Sequence, residues 1–253
     1  MKLWHLALAA GFAVPAVASA QLGLVTYDSL TATETVTFED ILGGTFPGTN
    51  YDSIFFSNGV GFAERFVGQT LTDLFSTGFD RLGGLPSGGS LTLLAGAAGQ
   101  NLNVLIDGSS QRLAGLGSAG FPLSTAIGEG AFAALFSTDQ SQFGFQLLGA
   151  NGGTFTISFF RADGTLIQTI SVLSPASTSY GFLREGGLQD IRGVSIYNND
   201  GGGVVFDNLR FDVQSFGGAV PEPVTWAMML LGFGAIGATM RRRSRTQDSL
   251  QAT

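Results

Sequence analysis

Polar and apolar residues alternate along much of this chain, and the alternation is most regular over Thr154–Phe159. A second run of residues that favour β-structure, Leu166–Leu173, follows after Arg161-Ala162-Asp163-Gly164. A period of two places successive side chains on opposite faces of a strand, and Asp-Gly favours the positive φ angles of a tight turn. These residues are therefore predicted to form a β-hairpin.

Short segments of the same kind recur through the rest of the chain, separated by turns rich in Gly, Asn, Asp and Ser. They are Val36–Ile41, Ile54–Phe62, Leu102–Ile106, Ala131–Phe136, Phe143–Leu148, Val194–Tyr197 and Val204–Val213. Many short strands without a long pattern of 3.6-residue period are typical of an all-β, antiparallel sandwich. We expect such a domain over residues 21–217.

One segment, Val67–Leu82, does not follow this pattern. Its apolar residues recur at spacings of three and four, as on one face of a helix, but Gly68 and Gly78 interrupt the series. This segment is therefore predicted to be either a short helix or a wide loop.

The composition narrows the chemistry of the domain. Cysteine is absent, and the only lysine and the only histidine are Lys2 and His5, close to the N-terminus. Ser-His-Asp and Cys-His catalysis, lysine Schiff bases and histidine-ligated zinc are therefore excluded from residues 21–217. Residues 21–220 contain seven arginines and seventeen acidic residues, a net charge of about −10. An acidic domain of this kind is not expected to bind nucleic acid.

Two acidic residues fall on predicted apolar faces of strands. Strict alternation places Asp207 with Leu209 and Phe211, and it places Asp40 with Val36 and Phe38. A buried carboxylate must be paired, protonated or bound to a cation. First and last strands are often neighbours in sandwiches, so hard oxygen ligands on both define a candidate structural calcium site. Its ligands would be Glu39, Asp40, Asp207 and Asn208. The alternative is that both aspartates lie at strand ends and accept backbone hydrogen bonds in turns.

Carboxylates are also the remaining route to catalysis. A glycosidase needs two facing carboxyl groups, and Glu39, Glu64, Glu129 and Glu185 are available, although their spacing in the sequence does not pair them. The run Asn198–Gly203 is predicted to be a turn rather than a cation site, because it lacks the spaced acids of an EF-hand loop. We expect a domain without enzyme activity, and a secreted glycan-active hydrolase is the alternative.

The N-terminus has the features of a secretory signal. Lys2 precedes an apolar stretch from Leu6 to Val17, and Ala18-Ser19-Ala20 is a small-x-small cleavage site before Gln21. Residues 1–20 are therefore predicted to be a signal peptide that is read by the Sec translocon and cleaved after Ala20, with Ala18 and Ala20 as the cleavage-site residues.

The C-terminus combines a helix breaker, an apolar segment and a basic stop. Pro221, Glu222 and Pro223 precede seventeen uncharged residues, 224–240, which are predicted to form a single transmembrane helix with Trp226 at its outer interface. The tail 241–253 begins with Arg241, Arg242 and Arg243. The positive-inside rule places this tail in the cytoplasm, and the domain is then expected on the other side of the membrane, in the periplasm.

Residues 218–253 resemble a PEP-CTERM sorting signal of the PEP-x-x-W-A variant. The resemblance rests on Pro221-Glu222-Pro223, on Trp226-Ala227-Met228-Met229, on Leu231-Gly232-Phe233-Gly234 and on the arginine cluster. It implies processing near the PEP motif by an exosortase, a membrane-embedded cysteine transpeptidase of Gram-negative bacteria that make exopolysaccharide. The motif residues are then part of the substrate. The protein would be anchored transiently in the inner membrane and would end at the cell surface or in the extracellular matrix.

The body of the chain carries a second resemblance. Phe38-Glu39-Asp40, the segment Ile54–Phe62 and Val205-Phe206-Asp207-Asn208-Leu209 resemble passenger domains that precede PEP-CTERM signals and look like jelly-roll or lectin-like sandwiches. The two resemblances together imply an exported surface or matrix module, and the exopolysaccharide of a biofilm is the expected partner.

Overall fold

The computed structural model of the protein describes residues 21–73 and 78–212. The predicted signal peptide, the predicted transmembrane helix and the arginine-rich tail all lie outside the described residues. Within those two ranges, no helix has the length and apolar character needed to cross a membrane.

The described residues form β-strands joined by tight turns and by two 3-10 turns, Tyr27–Ser29 and Glu185–Gly187. The first half of the chain contributes β1 Leu22–Thr26, β2 Glu34–Val36, β3 Thr49–Tyr51, β4 Phe55–Ser57, β5 Val60–Ala63, β6 Arg65–Phe66, β7 Thr70–Asp73, β8 Asp80–Gly83 and β9 Leu93–Leu94. The second half contributes β10 Leu102–Asp107, β11 Ser110–Gly115, β12 Phe132–Gln140, β13 Gln142–Leu148, β14 Thr154–Phe160, β15 Leu166–Leu173, β16 Ser179–Arg184, β17 Ile191–Asn198 and β18 Val205–Phe211.

Two antiparallel sheets make the sandwich. The eight-stranded sheet has the order β1-β16-β13-β18-β11-β10-β3, and β2 pairs with β18 beside this path. The six-stranded sheet has the order β15-β14-β17-β12-β5-β4. Two small ribbons, β6-β9 and β7-β8, complete the described strands. The prediction of an all-β antiparallel sandwich is confirmed.

The core between the sheets consists largely of phenylalanine. Rings from the two sheets meet edge to face, with centroids 4.7 Å apart for Phe132 and Phe206 and 5.6 Å apart for Phe145 and Phe155. Each buried aromatic side chain removes a large apolar area from water. The chain contains 22 phenylalanines and no cysteine, so this packing stabilises the domain without disulfides.

The outer face of the six-stranded sheet is covered by an apolar layer, which we call the covering layer. Its buried members are Ala63, Phe66, Leu91, Leu93, Ala133 and Phe160. Phe66 and Leu91 lie directly over Gly193 of β17, where an added Cβ would meet Phe66 Cζ and Leu91 Cδ2 at 2.7 Å. The bare backbone of Gly193 therefore allows the covering layer to pack closely on the sheet.

The predicted hairpin is confirmed. The strands β14 and β15 pair in antiparallel register, and Gly164 in the turn has a φ of 82°. The segment Ile54–Phe62 divides into β4 and β5 at Asn58 and Gly59, which have φ angles of 44° and 74°. Two consecutive residues with positive φ are characteristic of a two-residue hairpin turn.

The prediction of a short helix or wide loop over Val67–Leu82 is wrong where the structure describes this segment. Strands β7 and β8 pair there as a ribbon, with Leu71 opposite Leu82. Spacings of three and four in a short apolar series do not distinguish a helix from a twisted hairpin, because a series this short is compatible with more than one period.

Candidate functional site

The last strand, β18, contains a bulge that reverses its alternation. Asn208 has a φ of 49°, and the pairing with β13 shifts between Gln146 opposite Asp207 and Gly144 opposite Arg210. One extra residue in β18 is accommodated in this way, so side chains on either side of it exchange faces. The buried core residues of this strand are Phe206, Leu209 and Phe211. The expectation that Asp207 shares the face of Leu209 and Phe211 is therefore wrong, and Asp207 lies on the outer face of the sheet.

Asp207 is nevertheless buried, with 2% of its surface exposed. Ser110 Oγ donates a hydrogen bond to its Oδ2 at 2.7 Å, and the Asn208 amide donates to its Oδ1 at 2.7 Å. Burial raises the pKa of Asp207, while the hydrogen bonds from Ser110 and Asn208 and the nearby Arg112 guanidinium oppose the rise, and the Glu39 carboxylate adds to it. These groups form a compact polar cluster beside β11.

The predicted strand Val36–Ile41 ends at Val36, and the next residues turn. Phe38 has a φ of 60°, and the Ile41 amide donates to the Phe38 carbonyl at 3.0 Å. Asp40 is exposed in this turn and accepts hydrogen bonds from Ser57 Oγ at 2.5 Å and from the Asn58 amide at 3.4 Å. The expectation that Asp40 lies on the core face of a strand is therefore wrong, because the strand has ended before it.

The four predicted calcium ligands fall into two groups. Glu39, Asp207 and Asn208 lie at β11 and β18, and Asp40 lies apart from them at the β4-β5 turn. Glu39 Oε1 accepts the Gln111 amide at 2.9 Å, so Glu39 reaches β11 and the surroundings of Asp207. Asn208 Nδ2 donates to Gln146 Oε1 at 3.0 Å, and Asp40 faces the β4-β5 turn. In the part of the chain that the structure describes, no three His, Cys, Asp or Glu residues are grouped to hold a metal ion. The calcium site stays a prediction.

The run Asn198–Gly203 ends β17 and continues into a turn, as predicted, and the structure shows a buried carboxylate at its centre. Asp200 is 1% exposed. Its Oδ2 accepts the amides of Asn151 and Gly152, each at 2.9 Å, and its Oδ1 accepts the Gly202 amide at 3.1 Å. Three backbone donors satisfy the buried carboxylate, so Asp200 holds the turn through hydrogen bonds.

A groove opens on the outer face of the eight-stranded sheet beside Arg112. We call it the Phe46 groove, and its volume is about 360 Å³. Leu105, Ile127 and Val205, which belong to an apolar cluster on this face, line it together with Phe46. Its charged lining residues are Asp107 and Arg112. An apolar surface with a few convergent polar groups is the usual composition of a small-molecule site.

Phe46 is an exposed aromatic residue on an anchored loop. Two thirds of its surface, 66%, is open to solvent. The loop is attached to β10 because the Gly44 amide donates to the Val104 carbonyl at 3.2 Å and the Ile106 amide donates to the Gly44 carbonyl at 2.7 Å. The fully buried Asn103 also donates from Nδ2 to the Pro47 carbonyl at 2.9 Å. The Phe46 ring is thus presented by a backbone that is fixed on both sides.

The charged groups at the groove compensate one another. Arg112 Nη1 forms an ion pair with Asp107 Oδ2. The Asp107 side chain is 60% exposed and the Arg112 side chain is 19% exposed. Because Arg112 is paired with Asp107 and its charge also acts on the buried Asp207, the groove has no surplus positive charge.

Another buried acid, Glu129, lies outside this cluster and is one of the four glutamates that the sequence offered as carboxylates for catalysis. It is 7% exposed, and burial raises its pKa to about 7. Its Oε2 is buried and accepts no hydrogen bond from the described residues. Its flanking residues, Gly128 and Gly130, were a weak signal, since they indicate only a turn. Of the other candidate glutamates, Glu64 is buried beside Arg65, while Glu39 and Glu185 are exposed in turns.

The fold and the groove define an acidic, antiparallel β-sandwich with one open outer face. The chain carries the PEP-CTERM protein-sorting motif at residues 219–243. The resemblance inferred from the C-terminal residues is confirmed, and the motif implies an exported protein that is sorted by an exosortase.

No curated protein matches the chain at a significant level. Among solved structures, the chain is similar to a carbohydrate-binding module described as specific for non-crystalline cellulose, with 17% sequence identity and a TM-score of 0.24. That match covers 47% of this chain and 82% of the module. A TM-score this low supports no functional argument.

Proposed function

We propose that this protein is an exported, non-enzymatic component of the cell surface or extracellular matrix that associates with the exopolysaccharide of a biofilm. The observation that carries the proposal is the PEP-CTERM motif at residues 219–243. An exosortase signal is useful only to a protein that leaves the cytoplasm, and the sandwich domain is then the cargo.

The route of export follows from the two ends of the chain. The predicted signal peptide, residues 1–20, brings the chain to the Sec translocon, and the predicted C-terminal helix, residues 224–240, holds it in the inner membrane with the domain in the periplasm. Exosortase cleavage near Pro221-Glu222-Pro223 ends this anchored stage. The helix is therefore a temporary anchor in this proposal.

The chemistry of the domain supports a role in binding. Residues 21–217 contain no histidine, lysine or cysteine, so general bases and nucleophiles of these three types are missing, and carboxylates are the remaining candidates. The Phe46 groove offers apolar surface, an exposed ring and an ion pair to a ligand. These features suit attachment to a glycan better than its turnover.

The sorting step is tested in producing cells by fractionation with an antibody against the sandwich domain. Wild-type protein is expected at the cell surface or in the matrix, at a mass reduced by loss of the tail. A chain with Pro221→Ala, Glu222→Ala and Pro223→Ala is expected to stay in the inner membrane at its larger mass. The matched control changes Gln247 and Asp248 to alanine, beyond the arginine cluster. Normal release of the PEP variant would overturn the proposal.

Glu129 favours the alternative, a secreted glycan-active hydrolase. A carboxyl group whose pKa lies near 7 is protonated often enough at neutral pH to act as a general acid. The exported chain should be incubated with the exopolysaccharide of the producing cells, and the formation of new reducing ends measured. Hydrolysis that disappears in Glu129→Gln and persists in Glu185→Gln would replace the binding role with an enzymatic one.

A further inference from the structure

We propose that the Phe46 groove binds a neutral pyranose unit of a polysaccharide, with the sugar ring against Phe46 and its hydroxyl groups hydrogen-bonded to Asp107 and Arg112. This inference rests on the proposed association with exopolysaccharide and assigns it a site and a class of sugar.

The exposed Phe46 ring supplies the stacking surface. One face of a pyranose ring carries mostly C–H groups, and an aromatic face removes these from water while contacting them closely. A largely exposed phenylalanine contributes little to folding, and among the phenylalanines that the structure describes only Phe46 and Phe56 are exposed to this extent. Of these two, Phe46 is the one that lines the groove. Exposure of this ring next to a groove is therefore better explained by a ligand.

The polar lining matches hydroxyl groups. Asp107 is an acceptor that is largely open to solvent, and Arg112 presents several N–H donors in a fixed plane. The ion pair between them holds both groups in place before a ligand arrives. A vicinal diol can donate to a carboxylate and accept from a guanidinium at the same time, which is the arrangement that this pair offers.

The charge of the site selects neutral sugars over acidic ones. Arg112 is already compensated by Asp107 and by the neighbouring Asp207. Residues 21–220 carry a net charge of about −10, so a uronate or sulfate would meet repulsion at long range and no unpaired cation at short range.

The size and rigidity of the groove fit one sugar unit. Its volume, about 360 Å³, lies near the lower end of ligand sites, which span roughly 300–1,000 Å³. Hydrogen bonds from Asn103 and from the Gly44 and Ile106 amides fix the loop that carries Phe46. Little conformational entropy is then lost when a ligand binds, which favours measurable affinity from a small contact area.

The test is affinity electrophoresis of the exported chain, purified in mild detergent, through gels that contain one polysaccharide each. The probes are a soluble β-glucan, a mannan and a galactan as neutral chains, with alginate and polygalacturonate as acidic chains. Retardation by at least one neutral chain is expected, together with no retardation by the acidic ones. Retardation by the acidic chains alone, or by no chain of the set, would overturn the inference.

Two phenylalanines of equal exposure provide a matched pair of variants. Phe46 is 66% exposed at the groove, and Phe56 is 67% exposed on β4 of the other sheet. Phe46→Ala is expected to weaken binding to the retarding polysaccharide at least fivefold, and Phe56→Ala less than twofold. Asp107→Asn is expected to weaken it several-fold. Thermal unfolding of each variant checks that it is folded. Equal losses in both phenylalanine variants, or no loss in Phe46→Ala, would contradict the assignment.

The outcomes separate this inference from the proposed function. Binding to a neutral chain that survives Phe46→Ala and Asp107→Asn would remove the groove as the site and leave matrix association intact. Failure of the protein to reach the cell surface, seen by fractionation, would remove the proposed function whatever the purified chain binds.

Discussion

The two sheets of the sandwich treat their outer faces differently. The six-stranded sheet carries the covering layer, in which Phe66 and Leu91 pack directly over Gly193. The eight-stranded sheet leaves part of its outer face open, with Phe46 exposed and Asp107 and Arg112 paired at the groove. Two residues of the same type therefore have different roles, since Phe66 is buried in the covering layer whereas Phe46 is exposed at the groove.

The physical distinction between the two faces is the amount of surface lost from water on folding. Burial of a phenylalanine in the covering layer contributes to the stability of the native state, whereas an exposed phenylalanine contributes little. Substitutions in the covering layer should therefore lower the stability strongly, whereas substitutions at the groove should weaken binding and leave the stability nearly unchanged.

The largest effect is expected in the covering layer. Phe66→Ala removes a fully buried ring that packs edge to face on Phe160, with ring centroids 5.6 Å apart. The free energy of unfolding should fall by about 3–4 kcal/mol, because the cavity adds to the lost burial. Denaturant unfolding measures this loss of stability. The control is Leu94→Ala, which changes a partly exposed residue of the same ribbon and should cause a smaller loss. Similar losses at the two positions would mean that the layer is not packed as described.

The second largest loss of stability is expected in the turn Asn198–Gly203, which lies at one end of the groove. Asp200→Ala leaves the amides of Asn151, Gly152 and Gly202 without their acceptor. We expect a loss of about 2–3 kcal/mol in the free energy of unfolding, since buried donors without partners are costly. Stabilisation of wild type by calcium that is absent in Asp200→Ala would show instead that the turn holds a cation. A variant as stable as wild type would contradict the hydrogen-bonded role of Asp200.

Glu129 should make stability depend on pH. Burial raises its pKa from the ordinary 4.5 to about 7 in the folded protein. The unfolded chain therefore loses this proton at lower pH than the folded one, so the contribution is fully present below about pH 4.5 and is lost as the pH rises through about 7. The change is expected to reach up to about 2 kcal/mol, because each pKa unit corresponds to about 1.4 kcal/mol and partial contact with solvent reduces the full value.

Comparison of wild type with Glu129→Gln tests this dependence. Unfolding measured at several values between pH 4.5 and pH 8 should show a decline in wild type that is smaller in the variant, because glutamine does not ionise. Parallel curves for the two proteins would show that another group causes the decline.

The smallest effect on stability is expected at Phe46. Its ring is mostly exposed, so Phe46→Ala should change the free energy of unfolding by no more than about 0.5 kcal/mol. Differential scanning calorimetry of the variant beside Phe66→Ala gives the direct comparison of the two faces. A loss at Phe46 as large as that at Phe66 would mean that both faces are structural, and it would remove the distinction on which the binding site rests.

Particular residues show which structural features could be predicted from the sequence and which could not. The hairpin Thr154–Phe160 and Leu166–Leu173 was predicted because alternation and an Asp-Gly turn are local signals. Asp40 and Asp207 were placed on the wrong faces because Phe38 and Asn208 adopt positive φ angles that alternation does not anticipate. The Phe46 groove had no sequence signal, since one exposed phenylalanine cannot be told from the buried ones by composition.

The class of the domain, the side chains it lacks and the sorting motif could be read from the sequence, because they depend on residue type and on short spacings along the chain. The face that each acid occupies, and the meeting of Phe46, Asp107 and Arg112 at one groove, are visible only in the folded chain. Both features depend on a bulge in β18 and on pairing between strands far apart in sequence. A shift of one residue exchanges the faces of every side chain beyond it, and that shift is fixed by packing in three dimensions.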